Sequence, residues 1–464
     1  MTSFRIERDS LGEVKVTETA LWGAQTQRAL DNFNISGQAM PADFIRALAL
    51  IKACAAQSNA QLGLLDEGRA EAISRAAMAI ANGEYADQFP VDVFQTGSGT
   101  SSNMNMNEVI SHIASTASGL DIHPNDHVNL GQSSNDTIPS ALHLSAARRL
   151  NDDLLPALRL LESELEKREQ ELWQTAKTGR THLMDAMPVT LGQEIGAWRQ
   201  QIQGARNALQ KRQADLHCLA QGATAVGSGV NADPGFGEAV CRRLSEHTGL
   251  DIRCASNRFA ALSNVDTPLG LSGDLKQLAS ALMKIANDLR WMNSGPLAGL
   301  GEISLKALQP GSSIMPGKVN PVIPEAVAMV AADCIGNDAS ITIAAQSGNF
   351  QLNVMLPLVA QKLLHSLTRL AAASRSLARD AIADFSVNTD NINQALHRNP
   401  VLITALNSEI GYDRAAEIAK QAWREQRPIL EVAIEQTDLP EAQLRRLLDP
   451  QNLAFPHSDG NTGD

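Results

Sequence analysis

The sequence predicts an all-α protein built around a central bundle of long helices. Three observations carry that expectation. Apolar residues recur in alternating steps of 4 and 3 over long segments. Of the 464 residues 44% are hydrophobic but only 4% aromatic, so the apolar content is mostly Leu, Ala, Ile and Val. No alternation of short strands with helices is visible. A residue every 3.5 positions lays one apolar stripe along a helix, and shallow crossing angles let several such helices run side by side.

In chain order, residues 1–137 read as an N-terminal domain of short helices and loops rich in Gly, Ser and Asn. Residues 138–389 read as the bundle domain. One stripe begins at Leu154, Leu158, Leu161 and Leu165. A second runs Leu191, Ile195, Trp198, Ile202, Ala205 and Leu209. A third runs Leu271, Leu275, Leu278, Leu282, Ile285 and Leu289, and Leu356, Val359, Leu363 and Leu370 mark another. Four or five long helices fit this region. Residues 390–464 read as a small C-terminal helical domain, broken by Pro400, Gly411, Pro428 and Pro440 and ending in a flexible polar tail, HSDGNTGD. No repeat of 20–50 residues occurs.

The formal net charge of -12 argues against holding nucleic acid or an anionic membrane through a general field. A small anion then needs a local cluster of donors, which makes any cation inside a polar loop informative. The five cysteines form no CxxC pair, which favours reduced thiols over a disulfide framework or zinc site. The first residues, MTSFRIERDSLGEV, carry charge where a signal peptide has an apolar run, and no run of 18 apolar residues occurs. A cytoplasmic protein that spans no membrane is expected.

Four polar loops interrupt the helical pattern: TGSGTSSNMNMNE (96–108), HPNDHVNLGQSSND (123–136), GRTHLMDAMP (179–188) and GSSIMPGKVNP (311–321). In the first, Ser98, Gly99 and Thr100 offer hydroxyls and close backbone approach for an anion, or an ordinary capped turn. Ser133, Ser134 and Asn135 offer three donors, with Asp136-Thr137 as a cap for the following helix. His123, Asn125, Asp126 and His127 lack a further ligand set, so a turn is the stronger reading than a metal site. Thr181 and His182 place a hydroxyl beside an imidazole, with Asp185 near enough to orient it. In the last loop Ser312 and Ser313 bring hydroxyls, Lys318 a charge and Asn320 a directional amide, followed by Glu325. A serine serves as a base only where N–H donors and a cation stabilise its alkoxide.

Taken together, these loops resemble the signature regions of the fumarase/aspartase superfamily, and the closest resemblance is to class II fumarate hydratases, from about residue 3 to residue 455. The stretches that carry it are ALWGAQTQRAL (20–30), TGSGTSSNMNMNEVI (96–110), HPNDHVN (123–129), QSSNDT (132–137), GRTHLMDAMPVTLGQE (179–194), AVGSGVN (225–231) and GSSIMPGKVNP (311–321). The alternative reading is an aspartate ammonia-lyase or another fumarate-releasing lyase of the same superfamily; aspartate ammonia-lyases share the last loop but resemble GRTQ where this chain has His182, whereas PVIPE (321–325) resembles both.

The resemblance implies reversible hydration of fumarate to L-malate, as in the tricarboxylic acid cycle, without metal or organic cofactor. It implies a homotetramer with five long helices per subunit in a twenty-helix core, each active site drawing loops from three subunits. It maps the base onto Ser312 and the acid onto His182, paired with Glu325, while Lys318 stabilises developing charge. Ser98, Gly99, Thr100, Ser133, Ser134, Asn135, Thr181, Ser313, Lys318 and Asn320 would hold substrate. His123, Asn125 and Asp126 would form a second dicarboxylate site.

Overall fold

The computed structural model describes residues 3–455, so the tail expected to be flexible lies outside the described residues. The chain opens with an antiparallel hairpin of β1 (Phe4–Asp9) and β2 (Gly12–Thr17). Helices α1 (Ala24–Asn32), α2 (Ala42–Gln61), α3 (Glu67–Ala81) and α4 (Thr100–Ser118) follow. Three of these exceed the short helices expected here. α2 is buried on nearly every face, because Ala, Leu and Ile surround it and leave no polar stripe.

α5 (Ser134–Arg149) passes through a π-turn at Leu150–Leu154 into α6 (Leu155–Glu171). Next come β3 (Ala176–Thr181), β4 (Met184–Thr190), α7 (Leu191–Leu216), β5 (Cys218–Leu219), α8 (Phe236–Thr248), β6 (Arg253–Cys254), α9 (Arg258–Ser263) and α10 (Asp266–Met292). The chain continues through β7 (Ile303–Ser304), α11 (Val322–Ala345), α12 (Leu356–Leu377), β8 (Ser386–Val387) and α13 (Thr389–Arg398), and ends in shorter helical pieces. Four two-stranded sheets occur among the described residues, so the fold is all-α with small strand pairs at the loops.

All the stripe residues named above are at most 1% exposed. Each such aliphatic side chain contributes about 1.5–3 kcal/mol on burial. The long helices are α6, α7, α10, α11 and α12. α11 has no stripe in the sequence because its apolar residues go all round: Val327 and Ile341 are buried, while Met329 and Ile343 are 68% and 59% exposed. α11 is the one described helix long and apolar enough to cross a membrane by length and composition, and a third of that window is buried. Several of its polar groups are bonded to neighbouring helices. Asp338 accepts from Ser272 Oγ at 2.7 Å and Lys276 Nζ at 2.6 Å on α10, and Asn337 donates to Ser366 Oγ on α12.

By compactness the chain divides into one unit of Met1–Pro156, Ala205–Ala279 and Val330–Ala372, and another of Ala157–Gly204, Ser280–Met329 and Ala373–Asp464. This partition differs from the sequential one at 137/138 and 389/390. Its boundaries fall inside the five long helices, each of which contributes residues to both units. Within the second unit, Leu402, Leu406, Ile418, Val432 and Leu444 close a separate small core.

Candidate active site

In the first unit the backbone of the 96–100 loop is held by close approach. A Cβ on Gly97 would fall 1.6 Å from the Val354 carbonyl oxygen, and Leu356 N–H donates to Gly97 O at 3.0 Å. Gly99 has φ +74 and is the N-cap of α4, with Ile138 filling the space a side chain would need. The hydroxyls of Ser98 and Thr100 are 2.8 Å apart at this helix start. The run SSNMNMNE, expected as loop, lies inside α4, where Asn103, Asn105 and Asn107 are buried.

Ser133 is the N-cap of α5. Its Oγ accepts from Asn135 N–H at 3.1 Å, and its own N–H donates to Asp136 Oδ1 at 3.0 Å. The cap therefore starts one turn earlier than Asp136-Thr137, and Asp136 closes it from the third helical position. Asp136 is fully buried, and its Oδ2 also accepts from Thr224 N–H at 2.8 Å. The next backbone carbonyl, Ala225 O, accepts from Asn135 Nδ2 at 2.8 Å. One carboxylate thus fixes both the Ser133–Asn135 turn and the strand of chain that orients the Asn135 amide. Among the described residues no hydrogen bond takes up Asn135 Oδ1.

Beneath this turn lies Lys52, fully buried on α2. Its Nζ donates to Asn129 Oδ1 at 2.9 Å and Gln132 Oε1 at 3.0 Å. Asn103 and Asn107 donate to the same Asn129 oxygen at 3.2 Å each, and Asn103 also reaches Ser134 Oγ at 3.3 Å. Burial pushes the Lys52 ammonium down to about 7 and the Asp136 carboxyl up to about 6, each moderated by the other's charge. The sequence reading did not single out Lys52. Its signal was a lone cation inside the apolar run ALALIKACAA.

The HPNDH segment is a π-turn, Pro124–Val128. His123 Nδ1 accepts from Asp126 N–H at 3.1 Å, and His127 Nδ1 accepts from His123 N–H at 2.8 Å. An Nδ1 that accepts carries no proton, so the 3.2 Å approach of Asp126 Oδ2 to His123 is not an ion pair in that state. His123 and Asn125 line a cleft of about 630 Å³ that includes Arg5, His112 and Glu108. Asp126 is exposed beside it.

In the second unit, GRTHLMDAMP is not an inter-helix loop. It is the tip of the β3–β4 hairpin, in which Thr181 pairs with Met184. His182 and Leu183 form the two-residue turn, at φ +55 and +61. Two positive φ values match the type I′ geometry that suits hairpin twist, normally filled by Asn-Gly. The base of the hairpin is stiff: buried Lys177 donates to Glu194 and to Glu302, both at 2.8 Å, and Arg180 donates to Glu302 Oε1 at 2.7 Å. An exposed imidazole therefore stands on an ion-paired stem. Among the described residues no hydrogen bond or ion pair joins His182 to Glu325 or to Asp185, so the expected His182–Glu325 pairing is not made within one chain.

The 311–321 loop is closed at its neck, where Gly311 N–H donates to Lys318 O and Asn320 Nδ2 donates to Gly311 O, both at 2.8 Å. A Cβ on Gly311 would sit 2.5 Å from Lys318 O, so only glycine allows the neck. Ser312 Oγ accepts from Ile314 N–H at 3.2 Å and Met315 N–H at 3.0 Å. Both backbone N–H groups converge on this one hydroxyl. Ser313 is exposed on the same loop. Lys318, Asn320 and Glu325 line a cavity of about 930 Å³ together with Arg290, Asn293 and Asn388.

Residues 12–336 match the family described as Lyase, and residues 402–454 match the Fumarase C C-terminus. The class II fumarate hydratase 2 of Pseudomonas aeruginosa is 59% identical over 98% of this chain and 99% of its own length. The chain belongs to the class II fumarase family. A Thermus thermophilus class II fumarate hydratase is 48% identical over 98% of this chain and 99% of its own. The crystal structure of recombinant class II fumarase from Schistosoma mansoni superposes with a TM-score of 0.95 at 38% identity, over 98% of this chain and all of that one. Within this family frame the structure brings Ser98 together with Thr100, Ser133 with Asn135, and Lys318 with Asn320 and Glu325.

Proposed function

We propose that this chain catalyses the reversible anti elimination of water from L-malate to give fumarate. The observation that carries the reading is the pair of backbone N–H groups aimed at Ser312 Oγ, in a loop that also presents Lys318. A hydroxyl supplied with donors and a nearby ammonium can act as an alkoxide base. Ser312 takes the proton from C3 of malate. The electron pair spreads into the adjacent carboxylate, and Lys318 and Asn320 stabilise that dianion. By analogy with oxyanion sites, each such donor contributes about 3 kcal/mol. The C2 hydroxyl then leaves as water with a proton from His182, held in place with Thr181 and Asn135. Ser98, Gly99, Thr100, Ser133, Ser134 and Ser313 supply the remaining dicarboxylate contacts.

The missing His182–Glu325 contact supports a site completed by other copies of the chain, and we assign a homotetramer in which three copies contribute. The half-bare apolar surface of α11 suits burial against further long helices, which makes a twenty-helix core. A cytoplasmic enzyme of the tricarboxylic acid cycle, working without metal, accords with this chemistry. The test is the ultraviolet loss of the fumarate double bond by purified protein, with chelator present and with water or ammonia as the nucleophile. Malate formed in chelator supports the assignment; aspartate formed only with ammonia overturns it. Sedimentation gives the assembly, and a catalytically active monomer would remove the shared site.

A further inference from the structure

We propose that Cys241 and Cys254 are an oxidative modification site, a thiol pair that closes to a disulfide when it meets a peroxide. The two Sγ atoms lie 3.3 Å apart, 13 residues from each other in sequence. Cys241 sits on α8 and is 1% exposed, whereas Cys254 on β6 is half-buried. Their approach depends on Gly237, one turn before Cys241. A Cβ there would stand 3.1 Å from Cys254 Sγ and 2.5 Å from Gln221 O, so a larger residue would push α8 away from β6.

The two thiols have different roles. Cys254 lines an open cleft of about 600 Å³ with Asn257, Arg258 and Phe259, which admits a small oxidant. Glu238 and Arg258 line the same cleft, and the Cys254 thiol donates to Gln221 O at 3.6 Å. Cys241 has no such access. Its bond to Cys254, and then burial, push its thiol well above the usual range, so it waits as the resolving group. Cys254 thiolate attacks the peroxide O–O bond to give a sulfenic acid and hydroxide, which takes up the thiol proton to become water. Cys241 sulfur then attacks the sulfenic sulfur, the S–S bond forms and a second water departs. Two thiols lose two electrons in total, and one hydrogen peroxide becomes two waters.

Cys218 is the neighbouring thiol that must be excluded. In the β5–β6 register it faces Arg253, and Leu219 faces Cys254, so Cys218 and Cys254 point to opposite sides. Its Sγ instead accepts from Arg253 Nε at 3.3 Å.

The experiment uses the intact reduced protein. It is treated with hydrogen peroxide, alkylated, and digested with trypsin and an Asp-specific protease, which separate residues 215–232, 233–242 and 254–258. Mass spectrometry is expected to find 233–242 joined to 254–258 with loss of two hydrogens. A link from 215–232 to 254–258, or Cys241 alkylated while Cys254 carries sulfinic acid, overturns the proposal. In Cys241→Ser the sulfenic acid on Cys254 should persist and be trapped by dimedone, as it is not in the wild type. Equal trapping in both proteins also overturns it. Oxidation should raise the wild-type thermal midpoint by several degrees and leave that of Cys254→Ser unchanged.

Discussion

The turn at Ser133–Asp136 and the tip at His182–Leu183 solve opposite problems. The first rests on buried groups. Asp136 is bonded to Ser133 and Thr224, and Lys52 is bonded to Asn129 and Gln132. The second carries no bond at its tip among the described residues. Its stiffness comes from below, where Lys177, Arg180 and Glu302 lock the hairpin stem. In the reaction we propose, a binding turn can be built in advance from amides and a cap, whereas a proton donor must stay free of partners until substrate arrives, so its precision is moved into the support.

If this contrast holds, the largest effect should come from the groups left free. Ser312→Ala should cut kcat about 10³-fold with KM within a few fold, because it removes the proposed base but leaves Lys318 and Asn320 in place. Equal loss in kcat and binding, read from steady-state kinetics and isothermal titration with a dicarboxylate inhibitor, would reduce Ser312 to a loop-positioning role. His182→Asn should lower kcat about 10²-fold with the oligomer intact. Asn tolerates positive φ better than most residues, so the hairpin tip keeps its shape and the loss reports the imidazole.

The buried side of the comparison predicts a different signature. Lys52→Met should raise KM about tenfold while kcat falls less, since it loosens the turn proposed to hold a carboxylate without touching the proposed base. The pH dependence of stability has a definite sign. Lys52 loses its proton at about 7 in the folded chain but near its ordinary 10.5 when unfolded. Between these values the unfolded chain binds one more proton, so folding gains stability as pH rises through that window. Urea midpoints measured at pH 7 and pH 9.5 should show wild type gaining on Lys52→Met, and parallel curves would refute the buried titration. The smallest effect is expected at the tip itself. Leu183→Gly should stabilise the hairpin by about 1 kcal/mol by relieving a positive φ, seen as a rise in thermal midpoint with kcat unchanged.

Much of this arrangement was legible in the residues. The stripes from Leu154, Leu191, Leu271 and Leu356 named four of the five long helices, because one buried face leaves a period. α11 left none, since a helix apolar all round has no phase to read. The loop at 311–321 announced itself through Pro316, Gly317 and Pro321. The hairpin did not, because His182-Leu183 lacks the Asn-Gly pair that marks a type I′ turn. Lys52 escaped notice because a single lysine in an apolar run reads as an edge of the surface. Only tertiary structure supplies the amide cage that makes it a buried donor.

Glu302 lies outside every recognised motif, yet its carboxylate receives both Lys177 and Arg180 beneath the histidine hairpin. Its backbone carbonyl takes the N–H of Asn388, and the residues just after it, Ile303 to Leu305, wall the cavity that holds Lys318. In a saturation library scored by growth on malate, position 302 should therefore tolerate as little change as a group that meets substrate. A survey of tolerance alone would place it in the chemistry, whereas its work is that of a keystone between two walls.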